Sequence, residues 1–206
     1  KHNSNNTYQY NDLDVNSITT SKTQNILPDT SFINSTSQSQ VASRNRHKLT
    51  SFYEWQIDSS SSLKITARPS IVRSNGISTY LGQSISEDGK VINESNRTTS
   101  STDENKTLNA NVFWRKKFKK SGRTISWNTD LNFNDRAENT LLLATNSFYD
   151  PNGALVKLDN VDQMKVNKQN SSTVNSLLTY TEPLWKNTFL VLNYRLNLTR
   201  NDAERN

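Results

Sequence analysis

The connections between the alternating segments of this chain differ sharply in expected length. Three pairs of segments in which apolar and polar residues alternate are joined by short polar turns, at Asp58–Ser62, Lys119–Gly122 and Glu182–Asn187. Between the pairs lie long stretches rich in Asn, Ser and Thr, which we expect to be loops: Asn75–Lys106, Glu138–Ser172 and a third stretch before Arg46. Soluble β-proteins keep most connections short. Short turns at one end and long loops at the other favour a transmembrane β-barrel.

The composition fits strands that are apolar only on alternate residues. Hydrophobic residues make up 32% of the 206 residues and the net charge is +6, with a mean hydropathy of −0.83. No apolar run approaches the roughly 20 residues that a membrane-spanning helix needs. Four Trp, seven Tyr and seven Phe, many of them at alternate positions, argue against disorder. A polar lumen and hydrophilic loops account for the low hydropathy.

Alternation predicts six full strands of about 10 residues each, the length that crosses a bilayer at a tilt. The clearest case is Leu190–Leu198, where every second residue is apolar. Thr7–Val15 is predicted to belong to a seventh strand. Pro69 is expected to cause a bulge or a local break, because proline cannot donate to a ladder. The adjacent Leu177 and Leu178 leave the register of the sixth strand open.

The loops themselves contain hairpin signals. Asp88-Gly89 and Asn152-Gly153 each stand between short apolar segments, as in two-residue hairpin turns. Small hairpins are therefore predicted inside the long loops.

Large aromatic residues lie close to the short turns, where an outer-membrane barrel carries an interfacial girdle. The predicted girdle consists of Trp55, Trp114, Phe118, Trp185 and Phe189. The alternative is that these residues are core aromatics of a β-sandwich.

Charged residues opposite the apolar positions are the candidates for a functional role. The predicted lumen-facing residues are Glu54, Lys64, Arg68, Arg115, Asp130 and Arg195. Lumen residues influence what passes through or plugs a barrel. The alternative is that they form interstrand pairs that fill space.

No sequence motif indicates catalysis. His2 and His47 are isolated and the chain lacks cysteine, so neither a metal site nor a cofactor is predicted. The basic cluster Lys116–Lys120, with Arg123, has the composition of a phosphate-binding patch. A solvated turn near a membrane surface is the interpretation that we favour. We therefore predict neither an enzyme nor a nucleic-acid partner.

Three segments carry a resemblance to a known family: Trp114–Ser126, Thr179–Leu184, and Trp55–Asp58 with Ser62–Ile65. They resemble the strands and inner turns of the outer-membrane β-barrel family related to TonB-dependent receptors of Bacteroidetes. The similarity covers about Arg46 to Asp202. It implies a Gram-negative outer-membrane receptor or transporter, with short turns toward the periplasm and long loops outside. In this family a plug domain fills the barrel, and TonB relays energy for uptake of a bulky extracellular ligand.

The expected fold is therefore all-β, an antiparallel transmembrane β-barrel segment of six to seven meandering strands. We expect residues 1–206 to be a fragment of one barrel domain that lacks the signal peptide and the plug, with outer-membrane lipid as its surroundings. Two other functions stay open. One is a non-transporting surface or assembly barrel, and the other is a secreted all-β adhesin or glycan-binding module.

Overall fold

A computed structural model describes residues 1–28 and 30–206 as one antiparallel sheet of seven strands. The strands follow one another in chain order, so that each pairs only with its neighbours in sequence. Their bounds are β1 His2–Ile26, β2 Ser31–Gln56, β3 Ser61–Ser86, β4 Val91–Lys117, β5 Thr124–Tyr149, β6 Leu155–Trp185 and β7 Thr188–Arg205. The predicted all-β class, the antiparallel meander and the seventh strand are confirmed. Within the described residues the sheet is open, because β1 and β7 do not pair with each other.

The prediction of long loops is wrong. Asn75–Lys106 forms the end of β3, a turn and the start of β4, and Glu138–Ser172 likewise crosses from β5 to β6. Connections at this end of the sheet are as short as those at the other, and the strands have 18 to 31 residues instead of about 10. The predicted hairpins at Asp88-Gly89 and Asn152-Gly153 are confirmed as the turns, with both glycines at positive φ.

Polar side chains replace apolar ones along these extensions without interrupting the backbone ladder. Ser84 Oγ donates to Asn34 Oδ1 at 2.7 Å, and Ser95 Oγ donates to Asn146 Oδ1 at 2.7 Å. Such cross-strand pairs stabilise a sheet as apolar pairs do, by contact between directly opposed residues. Hydrophobic alternation therefore marks only part of each strand.

Two prolines interrupt the ladders in different ways. The β2–β3 pairing omits Pro69 and Arg68 and resumes in the same register on either side, which is the predicted local break. A true register shift occurs at Pro183, where β6 gains one residue relative to β7. Beyond that bulge Trp185 pairs with Thr188, and the chain reverses through Lys186 and Asn187, the latter at φ 65°.

The pairing register fixes two chemically distinct faces, because directly paired residues project to the same side. We call one the apolar face, which contains the row Trp55, Leu63, Trp114, Trp127, Leu178 and Tyr194. The other is the polar face, which contains the row Glu54, Lys64, Phe113, Asn128, Leu177 and Arg195. This settles the register of the Leu177–Leu178 pair.

A single sheet leaves no interior. In residues 1–28 and 30–206 no hydrophobic side chain is buried, and the described residues form no second layer. The β-sandwich interpretation of the aromatic residues therefore has no support in this arrangement. No helix among the described residues has the length and apolarity to cross a membrane.

We predict that the polar extensions exchange their amide hydrogens slowly, because their backbone N–H groups are held in ladders. Hydrogen exchange followed by mass spectrometry should show protection in Asn75–Ser86 and Val91–Lys106, interrupted at the turn Glu87–Lys90. Fast exchange throughout both segments would instead restore the long loop that the composition suggested.

Candidate functional site

The candidate site is a belt of large apolar side chains on the apolar face, next to the turn end of the sheet that holds Asp58, Lys119 and Lys186. Its members are Leu49, Tyr53, Trp55, Leu63, Ile65, Ala67, Ile71, Leu108, Ala110, Val112, Trp114, Ile125, Trp127, Leu131, Phe133, Val174, Leu178, Tyr180, Leu190, Leu192, Tyr194, Leu196 and Leu198. We call this set the apolar belt.

The apolar belt is nearly as tall as the apolar band of a transmembrane barrel. Ile125–Phe133 and Leu190–Leu198 each extend about 27 Å along their strands, which is roughly 20 Å at a strand tilt of about 40°. Transmembrane barrels carry an apolar band of about 25 Å. Tyr194 and Leu198 are 67% and 55% exposed, so no part of the described chain covers them.

Polar groups inside the belt satisfy one another. Trp127 Nε1 donates to Ser176 Oγ at 2.7 Å, and Thr129 Oγ1 lies 3.0 Å from the same hydroxyl. Thr129 is 6% exposed. Because an unpaired hydroxyl is costly to place in an apolar environment, this triad allows the belt to contain polar residues at its centre.

The five predicted girdle residues do not all occupy equivalent places. Trp55 and Trp114 lie in one row of the apolar face, and the Phe118 ring meets the edge of Tyr180 with 6.5 Å between centroids. Trp185 is 75% exposed beyond the Pro183 bulge. Phe189 pairs with Pro183 in the register of the polar face. Trp127 and Tyr194, which the sequence analysis did not include in the girdle, complete the row of Trp55 and Trp114.

All six charged residues predicted to face a lumen lie on the polar face. Glu54 and Lys64 are paired directly across β2 and β3, with 2.9 Å between Lys64 Nζ and Glu54 Oε1. For Arg68, Arg115 and Arg195, the part of the chain that the structure describes provides no ion-pair partner within 4 Å. One pair therefore fills space between strands, and three guanidinium groups stay available on the polar face.

Asp130 belongs to an amide network on the same face. Asn111 Nδ2 donates to Asp130 Oδ1 at 2.8 Å and to Asn128 Oδ1 at 2.9 Å, and Asn128 Nδ2 lies 3.3 Å from Asp130 Oδ2. These contacts hold the carboxylate in place by neutral donors instead of a cation. The sequence placed these residues on one face, but the contacts depend on the register between strands.

The basic cluster at the second turn holds a carboxylate of another strand. Arg123 donates through Nε to Glu182 Oε2 at 2.6 Å and through Nη2 to Oε1 at 2.7 Å. Lys120 Nζ lies 2.7 Å from Glu182 Oε1, and Tyr180 Oη donates to Oε2 at 2.7 Å. We call Lys120, Arg123, Tyr180 and Glu182 the turn clamp. It joins the β4–β5 turn to the end of β6 at the margin of the apolar belt, to which Tyr180 belongs.

The turn clamp changes the acidity of its carboxyl group. Arg123, then Lys120 and the Tyr180 hydroxyl, hold the pKa of Glu182 far below its usual range. The cluster was predicted to be a solvated turn near a membrane surface. The direct pairing of Thr124 with Thr181 brings it to Glu182, which is 59 residues from Arg123 along the chain.

Residues 1–28 and 30–206 contain no group of three His, Asp or Glu side chains placed to hold a metal ion.

Gly122, at φ +81°, closes the turn that carries Lys120 and Arg123. The Phe189 ring lies against this glycine, 2.9 Å from the position that a Cβ would take. The candidate site consists of the apolar belt, the charged groups of the polar face and the turn clamp.

No protein-family model and no curated protein matches the chain. Among solved structures, the siderophore receptor PiuA from Acinetobacter baumannii shows 8% identity and a TM-score of 0.20, over 99% of this chain and 46% of that one. The membrane pore complex of pneumolysin shows 8% identity and a TM-score of 0.14, over 98% of this chain and 57% of that one. The chain spans about half the length of these proteins, and the scores establish no common fold.

Replacing Glu182 by Gln is predicted to destabilise the sheet at pH 7, because the turn clamp loses its anion. The folded-state pKa is depressed, so the stabilisation is complete above the unfolded pKa of about 4.3 and fades as the pH falls toward the folded value. The difference in Tm between wild type and Glu182→Gln should therefore be larger at pH 7 than at pH 3.

The matched control is Glu87→Gln, which removes the same charge from an exposed turn without an ion pair among the described residues. Its Tm difference from wild type should be smaller at pH 7. Equal effects of the two substitutions at pH 7 would contradict a specific clamp.

Proposed function

We propose that this chain forms part of an outer-membrane β-barrel in which the apolar belt contacts lipid and the polar face lines the lumen of a receptor or transporter. One observation carries the proposal: a single-layered sheet has an exposed apolar belt roughly 20 Å tall on one face and polar residues on the other. Water on both faces would leave the belt uncovered. Lipid on one face and water on the other suit both sets of side chains.

Energetics favour lipid as the covering material. Full burial of one Leu, Ile or Phe contributes about 1.5–3 kcal/mol, and the apolar belt has more than a dozen such side chains on adjacent strands. Hydrocarbon offers no hydrogen bonds, so a spanning segment must satisfy its own backbone groups. The six ladders do this for most of the strand interiors from β2 to β6, apart from the break at Pro69 and the part of β6 that extends past the end of β7.

The two edges support closure by further strands. β1 and β7 each expose one row of unpaired backbone groups, and lipid does not tolerate open sheet edges. We propose that additional strands pair with these edges and close the barrel. The lumen position of Arg68, Arg115 and Arg195 belongs to this proposal.

The strands extend beyond the belt on one side only. From Lys106 to Val91, β4 continues for about 50 Å with mostly polar residues. In the proposed barrel this extension faces outward and the turn clamp faces the periplasm. Uptake energised through TonB rests on the family resemblance alone and belongs to the same proposal.

Tryptophan fluorescence in vesicles tests the lipid contact. With the other tryptophans replaced by Phe, Trp127 should be quenched by brominated phospholipids, because its ring lies on the apolar face. The matched control moves the probe by one residue, combining Trp127→Phe with Asn128→Trp on the polar face. Strong quenching at position 128 and weak quenching at 127 would reverse the assignment of the faces, and no quenching at either would contradict the proposal.

Leu131→Arg is predicted to impair folding into lipid vesicles. Leu131 pairs with Ala110 and Val174 at the centre of the apolar belt, and an arginine on the lipid face near the midplane costs about 2–4 kcal/mol. The expected result is a shift of the urea unfolding midpoint in vesicles to lower concentration.

Asn132→Arg is the matched control, since it adds the same side chain to the polar face between Asn109 and Thr173. Its midpoint should stay close to wild type. A larger shift for Asn132→Arg than for Leu131→Arg would contradict the lipid-facing belt.

A further inference from the structure

The charges of the strands are divided unevenly between the two faces. Following the pairing register, the polar face carries thirteen Lys and Arg against five Asp and Glu, and the apolar face carries six against nine. The surplus of positive charge in the strands therefore lies on the polar face. Nothing in the backbone pairing requires this distribution.

The surplus is densest where β2 and β3 adjoin. Arg44, Arg46 and Lys48 follow one another on the polar face of β2, about 7 Å apart along the strand. Arg68 of β3 is diagonal to Lys48, in the same relation that brings Arg46 Nε to 3.4 Å from Ser70 Oγ. We call these four residues the cation cluster. Arg44 and Arg68 are exposed, and Arg46 and Lys48 are half-buried.

Among the described residues, no carboxylate forms an ion pair with the cation cluster. The residues paired directly with its β2 members are neutral, namely Gln9, Asn11 and Leu13 of β1 and Ser70, Val72 and Ser74 of β3. Glu54 is bonded to Lys64 at 2.9 Å, and Asp103 to Arg136 at 2.6 Å, so these acids of the polar face are already engaged. Like charges side by side destabilise a sheet, and a bound anion removes that repulsion.

We infer that the cation cluster binds oligoanions that carry phosphate or carboxylate groups, and that the proposed lumen accepts anionic cargo. The lumen part of this inference rests on the proposed function, whereas binding itself requires only the polar face. Guanidinium groups present paired N–H donors that match the oxygens of phosphate and carboxylate. The spacing of about 7 Å suits separate anionic groups of one molecule better than a single small ion.

Isothermal titration of the full chain in detergent micelles tests the inference, with tripolyphosphate and citrate as separate probes. The site variant Arg44→Gln/Arg46→Gln/Lys48→Gln/Arg68→Gln should bind at least about tenfold more weakly, since four charge-assisted contacts are lost. Binding of one probe alone would assign the anion class. Failure of wild type to bind either probe would overturn the inference.

The matched control removes four cations from the opposite face, as Arg73→Gln/Lys106→Gln/Lys168→Gln/Arg200→Gln. Its dissociation constant should stay within about twofold of wild type, because only local charge acts strongly at close range. Equal weakening of anion binding in both variants would show that total charge attracts the anion, and would contradict a specific site at the cation cluster. Circular dichroism confirms that each variant retains its strands.

A thermal readout separates binding from misfolding. Without anion, the site variant should unfold at the same or a higher temperature than wild type, because repulsion is removed. With anion, only wild type and the control variant should gain Tm by ligand linkage. A rise in Tm of the same size in the site variant would also contradict anion binding at the cation cluster. This assay needs no bilayer. Failure of the lipid-quenching experiment would therefore contradict only the barrel proposal and would leave the inference of anion binding intact.

Discussion

The backbone ladder is the interaction on which the whole structure depends. In the described residues the chain has no buried hydrophobic core and no second layer, so the side chains cannot hold it together by enclosure. Six adjacent ladders satisfy the backbone groups, and the pairing register determines which residues share a face. The apolar belt, the cation cluster and the turn clamp all exist because that register is maintained over 18 to 31 residues per strand.

Strands and turns could be predicted from the sequence where apolar and polar side chains alternate and where turn residues are distinctive. The alternation in Leu190–Leu198 predicted its strand because its leucines and Tyr194 all lie on the apolar face. Asp88-Gly89 predicted its turn because glycine allows positive φ. The common face of Glu54, Lys64 and Arg195 followed from the same alternation, because a period of two is fixed by the strand itself.

The rest depended on relations that alternation does not record. Asn75–Lys106 has a loop-like composition, yet its polar side chains pair across strands as in the 2.7 Å contact of Ser95 and Asn146. The turn clamp joins Arg123 and Glu182, which only the β5–β6 register brings together. Trp185 lies beyond the bulge at Pro183, where β6 gains one residue relative to β7, and alternation does not record such an insertion.

Strictly sequential pairing also has a consequence for cooperativity. Each strand contacts only the strands before and after it, so the sheet behaves as a one-dimensional array in which stability is a sum of strand terms and nearest-neighbour interface terms. We expect such an array to grow by successive addition of hairpins, because pairing that starts at a short turn and spreads along the strands closes only a short loop at each step. In the proposed barrel the contact between the two ends of the array would form last, so joining β1 and β7 to further strands would be the step at which local zippering becomes a single all-or-none unit.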